Sequence, residues 1–193
     1  MTGNRCQWAK SELEITYHDQ QWGRPEHDDR RLFEMLILEG MQAGLSWSSI
    51  LKKRAHMGQV FDEFNPRLIT DYDQAKLSQF LNDPGLIRNR AKLKALVDNA
   101  RAFLRVVEEY NSFDLYLWNF VNNRPQVNHW KKMTEIPAET ETSAVLSRDL
   151  KKRGFKFVGP VICYAYMQAV GLVNDHLVSC PQHRQCQTEL LDE

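Results

Sequence analysis

From Leu32 to Trp47 the chain reads LFEMLILEGMQAGLSW, an apolar helical stretch with a carboxylate inside it. Leu32, Met35, Leu36, Leu38 and Met41 recur at helical spacings and make most of the circumference apolar, so the remaining elements have to be arranged around this helix. Glu39 falls in that buried arc. Burial disfavours the charged carboxylate, whereas hydrogen-bond donors or a cationic ligand restore it, so Glu39 is either paired structurally or used on a ligand. Asp28 or Asp29 supplies the N-cap. At the other end Gly44 can take a left-handed conformation and Ser46 can cap the next helix, which puts Trp47 just beyond the carboxylate. Taken alone, the pair is a satisfied core Glu beside a core Trp, or the floor of a pocket for a flat polar ligand.

The flanking sequence is rich in groups that such a pocket would use. Cys6, Trp8, Tyr17, His18 and Trp22 crowd an N-terminal segment with no apolar periodicity, read as irregular. Further helices follow: one from Ser46 through Arg54, one opened by Asn65-Pro66, and one from Asp73 to the Asp83-Pro84-Gly85 break. From Ile87 to about Tyr110 the apolar set repeats every 3.6 residues, with Arg88, Arg90, Lys92, Lys94, Arg101 and Arg105 between, read as a solvated basic face. A short helix over Phe113 to Val121 precedes a loop-like stretch over residues 123–141. No segment alternates long enough for a strand. The expected class is all-α.

Length bounds the architecture. At 193 residues the chain can bury a real core as one domain over 1–193, or as two lobes, 1–45 with 145–193 and 46–144. Lys plus Arg and Asp plus Glu are both 25, so no global field advertises nucleic acid, and such a role would rest on local features. The apolar run from Val161 to Val173 contains Gln168 and falls short of the ~20 residues that cross a bilayer. The N-terminus shows no apolar signal core, which places the protein in the cytoplasm, away from membranes. Four cysteines there are expected to be ligands or buried thiols.

Two C-terminal patterns add chemistry. Residues 147–180 read as a helix ending at Lys152-Arg153-Gly154, a turn from Phe155 to Gly159, and a helix opened by Pro160. Helix, five-residue turn and helix resemble the helix-hairpin-helix motif of a large DNA repair superfamily. There, backbone N–H groups of the hairpin, here Lys156, Phe157, Val158 and Gly159, point at a DNA phosphate without needing net charge. Phe157 stands where that motif usually carries glycine. His176 and Cys180 lie four apart, on one face if that turn is helical, and Cys6 with His18 offers a matching pair. Together they make a Cys2His2 tetrahedral set suited to one structural zinc clamping the two ends of the chain. A set using Cys186 or His183 in place of one ligand, or four unrelated residues, stays open on spacing alone.

YHDxxWG (Tyr17 to Gly23), LFEMLxLEGxQAGLSW (Leu32 to Trp47), GLIRNRAKLKALVDNA (Gly85 to Ala100), WNFVNNRP (Trp118 to Pro125) and LKKRGFKFVGPVICYAYMQAVGLVNDH (Leu150 to His176) occur in that order. This series resembles the bacterial 3-methyladenine DNA glycosylase I family over nearly the whole chain. Gln21, where members often have Glu, and Asn65, where FDP is usual, are departures. The resemblance implies a helix-hairpin-helix glycosylase-like bundle whose ends are joined by zinc. It also implies a monomeric base-excision repair enzyme that flips 3-methyladenine out of double-stranded alkylated DNA. Hydrolysis of the N-glycosidic bond would leave an abasic site and free 3-methyladenine. Glu39 would be the functional carboxylate, with Tyr17, Trp22, Trp47 and Trp8 stacking on the base. Gly44-Leu45 or the loop over 122–130 would wedge into the emptied stack. Asp175 lies about where helix-hairpin-helix glycosylases keep a catalytic Asp but adjoins His176, and is read as structural or as supporting the site from behind. A catalytically silent module binding alkylated DNA or free bases, and a zinc-stabilised helical interaction protein, are the readings from other classes. A scaffold has no need of a buried carboxylate facing a Trp.

Overall fold

In the computed structural model, which describes residues 5–188, the Leu32 helix is the hub. This helix, α2 (Asp29–Gln42), follows α1 (Glu12–Gln20) and is capped by Asp28, whose side chain accepts from the Arg31 N–H. It packs against α3 (Trp47–Val60), α6 (Arg90–Tyr110), α7 (Phe113–Trp118) and α9 (Pro160–Ala169), which is how a helix apolar on nearly every side is satisfied. Leu32, Phe33, Leu36, Leu38 and Met41 are all buried. Between these lie α4 (Pro66–Ile69) and α5 (Gln74–Asn82), both seated on α6. Near the C-terminus α8 (Glu141–Lys152) packs along α9, and α10 (Pro181–Thr188) follows.

The helical class holds, with one small addition. Gln126–Val127 (β1) pairs in parallel with Val173–Asn174 (β2), tying the loop after α7 to the segment that follows α9. Two residues are too few to show a period. The N-terminal segment also differs from its irregular reading, because Glu12 to Gln20 forms α1. Ser11 caps it with a reciprocal Ser11–Glu14 capping box, and only Tyr17 and His18 of this helix are buried.

Lys92 departs from the solvated face expected of α6. It is 5 % exposed, and its Nζ donates to the Met41 and Ala43 carbonyls at 2.8 and 2.6 Å. Those are orphan carbonyls at the end of α2, so a cation from α6 caps α2 just before the turn that carries Leu45. Gly44 in that turn has φ +77°, the left-handed conformation expected, and Ser46 caps α3.

The α8–α9 connection is the tight hairpin read from sequence. Phe157 adopts φ +55°, the conformation for which glycine is the usual choice. Its strain is held by neighbours: Asn99 of α6 accepts from the Lys156 N–H at 2.7 Å and donates to the Lys156 carbonyl, and Ser147 donates to the Val158 carbonyl.

Candidate active site

Glu39 lies at the bottom of a cavity of about 440 Å³ that opens to solvent. Tyr17 of α1, Trp22 just after it, Trp8 ahead of it and Trp47 at the start of α3 form one side. Trp8 and Trp22 meet edge to face with centroids 5.2 Å apart, and Tyr17 and Trp47 are 5.1 Å apart. The opposite wall is the Val161, Tyr164, Ala165, Gln168 face of α9, and Met133, Ile136, Pro137 and Ala138 close the rim. Gln42, one turn after Glu39, also lines it.

The electrostatics are lopsided. Glu39 is 4 % exposed, no hydrogen-bond donor reaches its carboxyl among the described residues, and burial pushes it up to about 8. Tyr17 is raised well above its usual value, first by burial and then by the charge of Glu39. The Tyr17 hydroxyl, Trp8 Nε1 and Trp47 Nε1 are buried and donate to nothing among the described residues. Native interiors rarely leave such groups unmatched, so three donors and one acceptor converging on one cavity describe the complement of a polar planar molecule.

Behind the aromatic wall a second cluster gathers Cys6, His18, His176 and Cys180, all buried, with their ligand atoms within 4.8 Å of one another. The cluster could bind a metal ion. His18 Nε2 and His176 Nδ1 are 3.2 Å apart, Cys6 Sγ lies 3.7 Å from His176 Nδ1, and Cys180 Sγ lies 3.7 Å from His18 Nε2 and 3.8 Å from His176 Nδ1. The far nitrogens are committed: His18 Nδ1 donates to Asp19 at 2.7 Å, and His176 Nε2 to the Trp22 carbonyl at 3.0 Å. Each imidazole therefore turns a lone pair toward the other, an arrangement that repels unless a cation sits between them. Arg5 pairs with Asp19 and holds its carboxyl down at about 2, and the Leu177 N–H points at Cys6 Sγ. Of the two sulfurs Cys180 is held low, chiefly by hydrogen bonding with Cys6. Gly23, at φ +77°, allows the approach, since a Cβ there would meet the His176 ring at 3.0 Å.

His176 and Cys180 reach one site by a turn, Cys180 N–H to Leu177 carbonyl, where the spacing suggested a helical face. His183 is turned away, its Nε2 on the Asn128 carbonyl at 2.7 Å, and Cys186 is not part of the group.

The hairpin presents the Phe157, Val158 and Gly159 N–H groups without an acceptor among the described residues. Lys156 is exposed, while the Val158 side chain is in the core, so only its backbone is available to a partner. Leu45 is 43 % exposed beside Trp47. The loop over 122–130 is less free, since Asn128 and Trp130 donate to Asp175 at 2.7 Å. Asp175 is fully buried. Gln42, the α9 face and the 133–138 rim were not singled out by sequence. For Gln42 the spacing from Glu39 was a usable signal, and for α9 the i, i+3, i+4, i+7 set was another.

Comparison with known proteins agrees with this geometry. A family model for methyladenine glycosylase matches residues 8–183. The chain is 48 % identical over 177 residues to DNA-3-methyladenine glycosylase 1 of Escherichia coli, covering 91 % of this chain and 95 % of that protein. It is 46 % identical over 178 residues to the DNA-3-methyladenine glycosylase of Haemophilus influenzae, covering 92 % and 96 %. A solved variant of 3-methyladenine DNA glycosylase I in complex with 3-methyladenine superimposes with a TM-score of 0.91 at 34 % identity, over 93 % of this chain and 97 % of that one.

Proposed function

The chain belongs to the methyladenine glycosylase family, and we propose that it excises 3-methyladenine from DNA in base-excision repair, with Glu39, Tyr17, Trp8, Trp22 and Trp47 reading the base. The observation that carries this reading is the buried Glu39 carboxyl, which has no donor among the described residues and is ringed by aromatic faces and by N–H and O–H groups unmatched among those residues.

A nucleotide with 3-methyladenine carries a positive charge on its purine until the glycosidic bond breaks. Flipped into the cavity, that cation restores the ionised form of Glu39, which burial alone disfavours. The carboxylate accepts from the exocyclic amine, and the Tyr17 hydroxyl donates to the neighbouring ring nitrogen, so an acceptor and a donor side by side match an adenine edge. Stacking on the aromatic side chains adds cation–π attraction. Unmodified adenine is neutral and gains neither that attraction nor the ionised Glu39. The leaving group is activated by its own charge, so extracting the lesion from the stack is the main task of the protein. Cleavage sends the bonding pair onto the purine and cancels its charge.

The hairpin amides of Phe157, Val158 and Gly159, with Lys156 beside them, would hold a phosphate of double-stranded DNA, and Gly44-Leu45 would fill the vacated stack. Leu45 is favoured over the 122–130 loop because its turn is exposed and anchored from beneath by Lys92.

The metal we assign to the Cys2His2 cluster is one structural zinc. Tetrahedral zinc with its usual bond lengths separates S from N by about 3.6 Å and N from N by about 3.3 Å. The separations here are 3.7 to 3.8 and 3.2 Å. Bound there, zinc would supply cross-linking and no Lewis-acid chemistry, because four protein ligands fill its shell. Cys6, His18, His176 and Cys180 then fix Tyr17 and Trp22 over the cavity.

The test is release of labelled 3-methyladenine from alkylated DNA by the purified protein, with Glu39→Gln alongside. Release that is lost in a folded Glu39→Gln protein is the expected result. A protein that binds alkylated DNA and releases nothing would instead be the silent binding module.

A further inference from the structure

Asp175 shares the cavity wall from behind. Its Oδ1 accepts from Asn128 Nδ2 and Trp130 Nε1, both at 2.7 Å, and its Oδ2 from the Tyr164 hydroxyl and from Gln168 Nε2, the latter at 2.7 Å. A carboxylate that accepts four donors has no lone pair left for a base, so it cannot deprotonate water. It does fix what lies in front of it. Since the carboxylate only accepts, the Gln168 amide must turn its NH2 backward, which leaves Oε1 on the other side. Gln168 lines the base cavity, and its Oε1 has no partner among the described residues. It is also absent from the fully enclosed unmatched atoms, so it touches open space. The main chain is pinned as well, the Gln168 carbonyl accepting from the Gly23 N–H at 2.9 Å.

Resting on the glycosylase reading above, we propose that Gln168 Oε1 is the acceptor that orients the attacking water, and that Asp175 is the positioning residue that aims it. Hydrolysis needs a lone pair of water directed at C1′ while a water hydrogen is held elsewhere, and a fixed carbonyl oxygen does this without being a base. Gln42, the other amide on the cavity, makes no side-chain hydrogen bond among the described residues and is not pre-aimed in this way. Glu39 faces the charged purine. In the step itself the C1′–N9 pair passes to the purine and neutralises it, the water oxygen bonds to C1′, and the surplus proton leaves to solvent. A neutral amide suffices because the departing purine is already charged and the electron-poor sugar is a strong electrophile. Pre-orientation of this kind is removed by taking away the oxygen or by freeing the amide to turn.

The experiment compares Gln168→Leu and Gln168→Met, so that a packing defect in the branched variant leaves the unbranched one to decide. Asp175→Asn, which lets the amide flip, is measured with them. Single-turnover excision from methylated DNA, titration with free 3-methyladenine, binding to abasic DNA and metal content are measured on each. Excision should fall roughly 10- to 100-fold in all three, with free-base affinity, abasic-DNA affinity and metal content unchanged. Unchanged excision in a folded Gln168→Met would overturn the proposal. So would a parallel loss of free-base affinity, which would make Gln168 a base-reading group. Wild-type release of 3-methyladenine in the same assay keeps either outcome separate from a failure of the glycosylase reading.

Discussion

Replacing Glu39 by Gln should make the protein more stable and less useful at once, and the structure gives the size of the first effect. The carboxyl is raised from 4.5 to about 8 by burial alone. A raised acid pKa means that the unfolded chain gives up its proton first. Below pH 4.5 both states hold the proton and the group is neutral in its effect. As pH climbs from 4.5 toward 8, the folded state is progressively penalised, because it must keep a proton or bury a charge. Each tenfold change in proton affinity is worth about 1.4 kcal/mol, so the penalty is about 3 kcal/mol at pH 7 and approaches about 5 kcal/mol above pH 8. The amide of Gln carries no such dependence. For a chain of this size about 3 kcal/mol corresponds to roughly 6 to 12 °C in melting temperature. Melting curves from pH 4.5 to 9 should therefore show Glu39→Gln gaining on the parent as pH rises, with the curves meeting at the acid end. Excision should move the other way. In the parent, kcat/KM should fall as pH drops below 8, with a logarithmic slope approaching one, because the free enzyme must ionise Glu39 to receive a cation. The variant should be slow and flat. A melting gap that does not vary with pH would mean that Glu39 has a partner or solvent in the folded state, and the reasoning would fail at its first step.

Other perturbations follow from the same geometry. Cys6→Ala or Cys180→Ser should lose the metal, lower the melting temperature and weaken free 3-methyladenine binding together; full metal content by elemental analysis in Cys180→Ser would refute the ligand set. Lys92→Met strands the Met41 and Ala43 carbonyls, at about 1–3 kcal/mol, and should slow base extraction from duplex DNA more than it weakens free-base binding. Gly159 has φ −64°, which proline also adopts, so Gly159→Pro removes one hairpin N–H with little backbone change. Duplex affinity should drop while free-base affinity holds, and equal loss of both would mark a folding defect. A guanine-like lesion puts a carbonyl where adenine has its amine, so 3-methyladenine should be excised faster than 3-methylguanine, and Glu39→Gln should narrow that ratio, read by competition on mixed methylated DNA.

What could be read in advance was local. The caps at Asp28, Ser46 and Asp73 and the turn at Gly44 are decided by residues within a few positions of each other, and they lie where the sequence places them. Glu39 was legible because a charge inside an apolar period is conspicuous. α1 was missed for the converse reason: with only Tyr17 and His18 buried, it has no apolar stripe, and its signal was the Ser11–Glu14 box. Lys92 read as part of the wet side of α6, and Asn99 carried no signal, because their partners, the end of α2 and the hairpin, are remote in sequence. Spacing found the four metal-binding candidates and could not show the turn that brings Cys180 back, nor that His183 faces Asn128. The 133–138 rim carries no pattern of its own and becomes part of a site only by lying across it.

The Cys2His2 cluster sets an order of events during synthesis. Cys6 and His18 are translated well before His176 and Cys180, which lie more than 150 positions further along the chain. At roughly 5–20 residues per second, the N-terminal aromatics wait on the order of ten seconds or more for the segment that fixes them. Throughout that interval α2 can collapse onto α3, α6 and α7, but no Tyr17 or Trp22 is anchored above Glu39. A nascent or truncated chain therefore carries the carboxylate without its aromatic wall. On the proposed reading, base recognition would switch on only when the segment carrying His176 and Cys180 arrives, which makes that distant segment the last part of the pocket to be built.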